Sequence, residues 1–198
     1  MRVAVIGTGR MGKGFATALS PMHDVMIGSR DPDRAAAIAR KTGAGGGFAS
    51  SDAAAGADVV FLAVPWKAID DVLADLGDLR GAVVIDMSNP MNQREREALK
   101  GTSAAERIQE RVPHARVCKA WNHVHAAHLT DPVADGIASS VLIACDDDAG
   151  KGVVSGLARD MGFDPVDVGP LRAARDLERL IGVMTFVKLG AFRVLSRR

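Results

Sequence analysis

Apolar residues gather in short consecutive runs, and stretches of helical spacing separate the runs. Val3–Ile6, Asp24–Gly28, Phe48–Ala49, Asp58–Val64 and Ala82–Asp86 read as strands in the first half. Ala115–Lys119, Ser139–Ala144 and Asp164–Val168 continue the series. Most of the runs are apolar at adjacent positions, as strands covered on both faces require. Helical patterns lie between them: from Lys13 to Leu19, from Asp31-Pro32 onward, from Lys67 to Asp78, and from the Asp146-Asp147-Asp148 cap to about Met161. Asp31 is placed to cap and Pro32 to occupy the first helical position. The alternation predicts an α/β fold: a Rossmann-type, doubly wound, mostly parallel sheet with a C-terminal helix. Gly43-Ala44-Gly45-Gly46-Gly47 reads as a flexible turn.

The last pattern runs from about Leu171 to Leu195. Leu177, Leu180, Ile181, Met184, Val187, Ala191 and Leu195 make one stripe, and Val183, Phe186, Leu189 and Phe192 widen it. That is more apolar surface than one packed face needs. The expected division is a nucleotide-binding domain at 1–170 and a helix at 171–198, packed on that domain or on a partner.

Composition narrows the classes. The chain has 198 residues, 25 basic against 24 acidic, and 47% hydrophobic residues. Near-neutral charge argues against nucleic acid or an anionic membrane surface as a partner. No stretch approaches a membrane span, and the N-terminal apolar run is too short for a signal peptide. The expected location is cytoplasmic. Cys118 and Cys145 read as small core residues, and the absence of Tyr excludes a tyrosine acid.

The strongest motif is Gly7-Thr8-Gly9-Arg10-Met11-Gly12, between a buried strand and a helix. In that context the glycines allow a tight turn, close approach to a pyrophosphate, and close helix packing. The helix N-terminus offers free N–H groups to the phosphates. An NAD site carries a carboxylate at the end of the second strand, but this strand ends in Gly28-Ser29-Arg30. Asp31 is committed to the cap. Ser29, Arg30 and Arg34 supply hydroxyl and guanidinium groups suited to a 2′-phosphate, and Thr8 can reach the same ribose. The cofactor is therefore expected to be NADP(H).

Further motifs follow in order: Val64-Pro65-Trp66, Asp86-Met87-Ser88-Asn89-Pro90, Lys119-Ala120-Trp121-Asn122, Asp146-Asp147-Asp148 and Asp167-Val168-Gly169-Pro170-Leu171. Together with the glycine loop and Gly28-Ser29-Arg30 they resemble the F420-dependent NADP oxidoreductase family. The cytosolic reductase domains of the STEAP metalloreductases share a similar fold. The resemblance implies backbone contacts from Val64, Pro65 and Trp66 to the cofactor, and a homodimer that completes the acceptor pocket. The family usually has Phe where this chain has Trp121, then Thr and a small residue in place of His123-Val124-His125. Those departures fall in the presumed acceptor pocket.

The acceptor-pocket candidates are Asn89, Asn122 and His123. The asparagines can orient polar ring atoms, and His123 can hydrogen-bond the acceptor or supply a proton. His125 and His128 share a helical spacing, but no carboxylate or cysteine lies with them, so no metal is expected. Arg94-Glu95-Arg96-Glu97 reads as a solvated helix face.

The expected activity is hydride transfer between NADP(H) and a flat acceptor, F420 first or a flavin. Such transfer needs stacked rings more than side-chain chemistry. Two alternatives stand beside it. One is reduction of a flavin, a ferric chelate or a small carbonyl or imine. The other is a non-enzymatic NADP-binding protein.

Overall fold

The computed structural model describes residues 1–134, 136–186 and 192–194. Six strands run parallel: β1 (Arg2–Ile6), β2 (Asp24–Gly28), β3 (Gly46–Phe48), β4 (Val59–Leu62), β5 (Val83–Asp86) and β6 (Arg116–Lys119). A small hairpin of β7 (Val133–Ala134) and β8 (Ile137–Ala138) follows. β9 (Ser140–Cys145) then pairs antiparallel with β6, and β10 (Asp164–Gly169) pairs parallel with β9. The sheet order is β10-β9-β6-β5-β4-β1-β2-β3. The chain builds outward from β1 on one side, then returns to β1's other edge with β4. That reversal opens a crevice at the carboxyl ends of β1 and β4, the usual ligand position in open α/β sheets.

Helices cover both faces. They are α1 (Arg10–Leu19), α2 (Pro32–Thr42), α3 (Ser50–Ala54), α4 (Ile69–Leu76), α5 (Gln93–Ala98), α6 (Ala104–Arg111), α7 (Asp148–Asp160) and α8 (Ala174–Phe186). Side chains alternate across the sheet and divide the core in two. Val3, Val5, Phe61, Ile85 and Ile143 meet α1, α2 and α7 through Phe15, Leu19, Ile38 and Leu157. Ala4, Ile6, Leu62, Val84 and Val117 meet α3, α4 and α6 through Ala53, Ile69, Leu76 and Ile108. The doubly wound, mostly parallel sheet expected from the apolar runs is therefore present, with a helix after its last strand.

Local chemistry accounts for the element ends. Asp31 Oδ1 accepts the Arg34 N–H and caps α2, and Gly43 ends that helix at φ +76°. The glycine-rich stretch after α2 is not a loose turn. Gly46 and Gly47 form β3, and a Cβ on Gly47 would sit 2.1 Å from the Ala35 carbonyl carbon. Glycine there lets α2 lie directly on the edge strand. Asn92 and Glu95 form a capping box at the start of α5. α6 has only Ala104, Ala105 and Ile108 buried, too thin a stripe to stand out in the sequence.

The last expected helix starts with a 3-10 turn at Leu171–Ala173 and continues as α8. Leu177 and Met184 are buried, whereas Val183 is 62% exposed. Val187, Leu189, Ala191 and Leu195 of the expected stripe lie outside the described residues. Among the described residues no helix is long and apolar enough to cross a membrane.

Candidate cofactor and acceptor cleft

The glycine loop joins β1 to α1, and its three glycines answer three different constraints. Gly7 has φ +126°, and a Cβ there would lie 2.3 Å from the Ala63 carbonyl oxygen at the end of β4. A Cβ on Gly12 would lie 2.0 Å from the Gly7 carbonyl oxygen. Both positions are closed by the protein's own backbone. Gly9 differs, because a Cβ there would meet no protein atom within 4 Å. The room above Gly9 is open to a ligand. Gly9 N-caps α1 with no side-chain hydrogen bond, and the first turn carries no acidic residue. An anion placed there meets the helix's free N–H groups and its positive dipole end. A pyrophosphate fits this cradle. Thr8 is nearly buried in the same loop, while Arg10 is exposed.

At the end of β2, Ser29 donates its backbone N–H to Phe48. Its hydroxyl accepts the Asp31 N–H at 3.2 Å, and the Asp31 carboxylate is held by the α2 cap. No free carboxylate therefore stands where a ribose 2′-hydroxyl would want one. Arg30 and Arg34 are exposed and make no ion pair among the described residues. The structure gathers Ser29, Arg30 and Arg34 at one strand end, with cationic groups available to a phosphate.

A cleft of about 630 Å³ opens at the carboxyl ends of β1, β4, β5 and β6. It joins Gly9, Arg10 and Met11 to the Val64-Pro65-Trp66 loop, and both to Ser88, Asn89 and Asn122. Trp66 is partly buried and packs on the core beneath α4, so it walls the cleft and covers a helix end together. The size suits a dinucleotide end with a second ring.

Beyond Asn89 the wall is a buried polar network. Lys119 is 0% exposed at the end of β6. Its three ammonium protons go to Asp86 Oδ2 at 2.7 Å, Glu178 Oε1 at 2.8 Å and the Ser88 carbonyl at 2.6 Å. The other Asp86 oxygen accepts the Ser88 N–H at 2.8 Å. Asn89 donates to the Asn122 carbonyl at 2.8 Å, and Asn122 donates to Asn89 Oδ1 at 3.0 Å and to the Leu177 carbonyl at 3.0 Å. Glu178 also accepts the Ala104 N–H at the start of α6. A bidentate Arg175–Glu106 pair fastens α8 a second time. Burial alone would lower the Lys119 ammonium, but the two carboxylates outweigh it and hold it above its ordinary value. Burial also pushes the Glu178 carboxyl up, more than Lys119 recovers.

The sequence alone does not mark Lys119, Asp86 and Glu178 as a unit. A Lys and an Asp closing adjacent apolar strands were the available signal. Glu178 sits 59 residues beyond Lys119, and nothing local pairs them.

One expectation for this region is corrected. His123 does not line the cleft. It is 4% exposed, its Nε2 lies 3.1 Å from the Ser140 carbonyl, and its ring stacks 5.2 Å from Phe192. Burial pushes its pKa down to about 4, so it is a neutral core residue behind the wall. Trp121 does border the cleft, but its ring is 0% exposed among Phe15, Phe61 and Phe163. Its backbone takes φ +52°, which aims the chain toward Asn122. The residue of that stretch that reaches the cleft with an exposed side chain is His125, whose Nδ1 accepts the Ala127 N–H. Among the described residues no three metal-ligating side chains converge. Cys118 and Cys145 face each other across β6 and β9 as buried free thiols.

Comparison with known proteins shows relatives of this chain in both sequence and fold. A family model described as NADP oxidoreductase, coenzyme F420-dependent, matches residues 2–90. An F420-dependent NADP reductase from Methanothermobacter thermautotrophicus is 34% identical over 91% of this chain and 86% of its own length. The rat metalloreductase STEAP3 is 33% identical over 96% of this chain, which spans 40% of that relative. A solved structure from Arthrobacter sp. FB24, provisionally assigned as an F420-dependent NADP reductase, matches all of both chains with a TM-score of 0.86 at 29% identity. An imine reductase from Pseudomonas sp., at 18% identity and a TM-score of 0.70, shares the fold.

Proposed function

The chain belongs to the F420-dependent NADP oxidoreductase family, and from that premise we propose that it passes a hydride between NADP(H) and coenzyme F420 in the cleft described above. The single observation that carries the reading is the continuity of that cleft. It runs from the glycine cradle, past Val64-Pro65-Trp66, to the Asn89–Asn122 wall. NADP(H) supplies the hydride chemistry when bound. The chain's own residues do the rest. Gly9 and the α1 N-terminus hold the pyrophosphate, with Arg10 beside them. Ser29, Arg30 and Arg34 hold the 2′-phosphate. Asn89 and Asn122, each fixed by the other, present a rigid wall to the rings, which favours a near-attack arrangement. The hydride oxidises NADPH to NADP+ and leaves the acceptor ring as an anion, which takes up one proton from solvent to complete its reduction.

The test is NADPH oxidation by purified protein with F420, then with FMN, FAD and a ferric chelate. Turnover with F420 well above the others supports the reading. Turnover with none of them, alongside tight NADPH binding, sinks it. The likeness to a metalloreductase favours one second reading, a chelated metal ion such as ferric iron as the electron acceptor. A further part of the proposal is a second copy of the chain roofing the acceptor end. The outward face of α8 around Val183 is the surface offered for it. Sedimentation giving a monomer at working concentration would remove that part.

A further inference from the structure

Two residues that line the cleft hold a buried polar atom with no partner among the described residues: Trp121, whose ring is packed among aromatic side chains, and Ser88. Ser88 is 5% exposed, it lines the cleft, and its Oγ is buried without a hydrogen-bond partner among the described residues. A buried hydroxyl without a partner destabilises the fold unless something pairs with it. Its backbone is at the same time held unusually hard. The Ser88 N–H goes to Asp86, and its carbonyl takes one of the three Lys119 protons. Lys119 is in turn fixed by Glu178 from α8. Ser88 is thus clamped on both backbone groups, and its buried, unpaired hydroxyl keeps only the χ1 rotation by which it can turn to a ligand in the cleft that the residue lines.

The cleft's order of elements identifies which part of the ligand arrives there. With the pyrophosphate at the end of β1 and the ribose beside the loop after β4, the next strand end is that of β5, where Ser88 sits. We infer that the Ser88 hydroxyl hydrogen-bonds the nicotinamide carboxamide of NADP(H), and that Lys119 and Glu178 are positioning residues that hold it there. The inference rests on NADP(H) occupying this cleft, but not on the identity of the acceptor.

The experiment titrates the full chain with NADPH and, separately, with 2′-phospho-ADP-ribose, which lacks the nicotinamide. Ser88→Ala is expected to weaken NADPH about tenfold, the size of one well-placed hydrogen bond. Binding of 2′-phospho-ADP-ribose stays unchanged, and thermal stability stays equal or rises. Glu178→Leu, which loosens the clamp, reproduces the selective NADPH loss, whereas Glu178→Gln retains most of the affinity because its amide oxygen still accepts from Lys119. NADPH affinity unaltered in Ser88→Ala overturns the contact. Equal weakening of both ligands overturns it too, since that is damage to the whole site. Glu178→Leu binding like Glu178→Gln overturns the clamp. Wild-type protein that binds neither ligand instead defeats the reading of the cleft as an NADP(H) site, a distinguishable result.

Discussion

The two ends of the cleft are built by opposite means. The phosphate end is made of backbone: glycines, a helix N-terminus and exposed arginines, all within six residues at Gly7–Gly12 and six at Ser29–Arg34. The ring end is made of buried side chains gathered from Asp86, Lys119, Asn122 and Glu178. The first works by leaving room and free donors. The second works by pairing its buried polar groups, the Ser88 hydroxyl and the Trp121 indole nitrogen excepted among the described residues. A site can thus be open and local at one end and closed and long-range at the other, with different vulnerabilities.

The sharpest way to break the contrast lies within the glycine loop itself. Gly7→Ala places a Cβ 2.3 Å from a backbone oxygen at φ +126°. It should cost about 4 kcal/mol or more, a severe destabilisation for a single substitution. Gly9→Ala has open space and should stay within ~1 kcal/mol of wild type, while losing NADPH affinity. Urea melts paired with NADPH titrations separate the two, and equal stabilities would erase the distinction drawn between those glycines.

At the ring end, Lys119→Met strands two buried carboxylates. The expected cost is about 3–5 kcal/mol, as for other broken buried ion pairs. Replacing Lys119, Asp86 and Glu178 together with apolar residues should recover much of it. Denaturant midpoints of the single and triple variants test this, and a triple variant no better than Lys119→Met refutes the charge account.

His123 gives a pH signature to the wall's rear. Its folded pKa, about 4, lies below the ordinary 6.5. Between those values the unfolded chain takes up the proton and the folded chain does not, so stability falls as pH drops from about 6.5 to 4. The loss attributable to this residue is about 3 kcal/mol. His123→Gln should flatten that part of the curve, and an unaltered slope would show that other groups cause it.

The smallest effect belongs to the exposed end. Arg30→Ala should weaken NADPH about tenfold, or ~1.4 kcal/mol, and leave NADH binding unchanged. Equal losses for both nucleotides would mean that Arg30 does not read the 2′-phosphate.

This asymmetry also explains what could be read from the chain. The strand order, the α1 and α2 starts and the phosphate residues follow from patterns within a few positions of each other. Asn89 and Asn122 stand out as rim residues in the sequence because each closely follows the end of a strand. Their mutual hydrogen bonds, and the triad beneath them, depend on pairings 33 to 59 residues apart. His123 was misplaced for a related reason. A histidine beside a motif looks accessible in one dimension, but β9 returns alongside β6 and buries it under Ser140. The glycine stretch after α2 misled in the same way, since its purpose is contact with Ala35 rather than freedom.

The reversed direction of β9 and β10 carries a last consequence. Because β10 runs toward the amino side of the main sheet, α8 is entered by a reversal after Gly169, with the Leu171 N–H held by Asp146. It then climbs the sheet face and delivers Glu178 to the carboxyl edge. Its phase is set by the length of the connection from Gly169 to Ala174. One inserted residue would turn the helix by about 100° and shift it ~1.5 Å, rotating Glu178 away from Lys119. The short connector therefore acts as a timing link: its length, more than its composition, decides whether the ring end of the cleft closes.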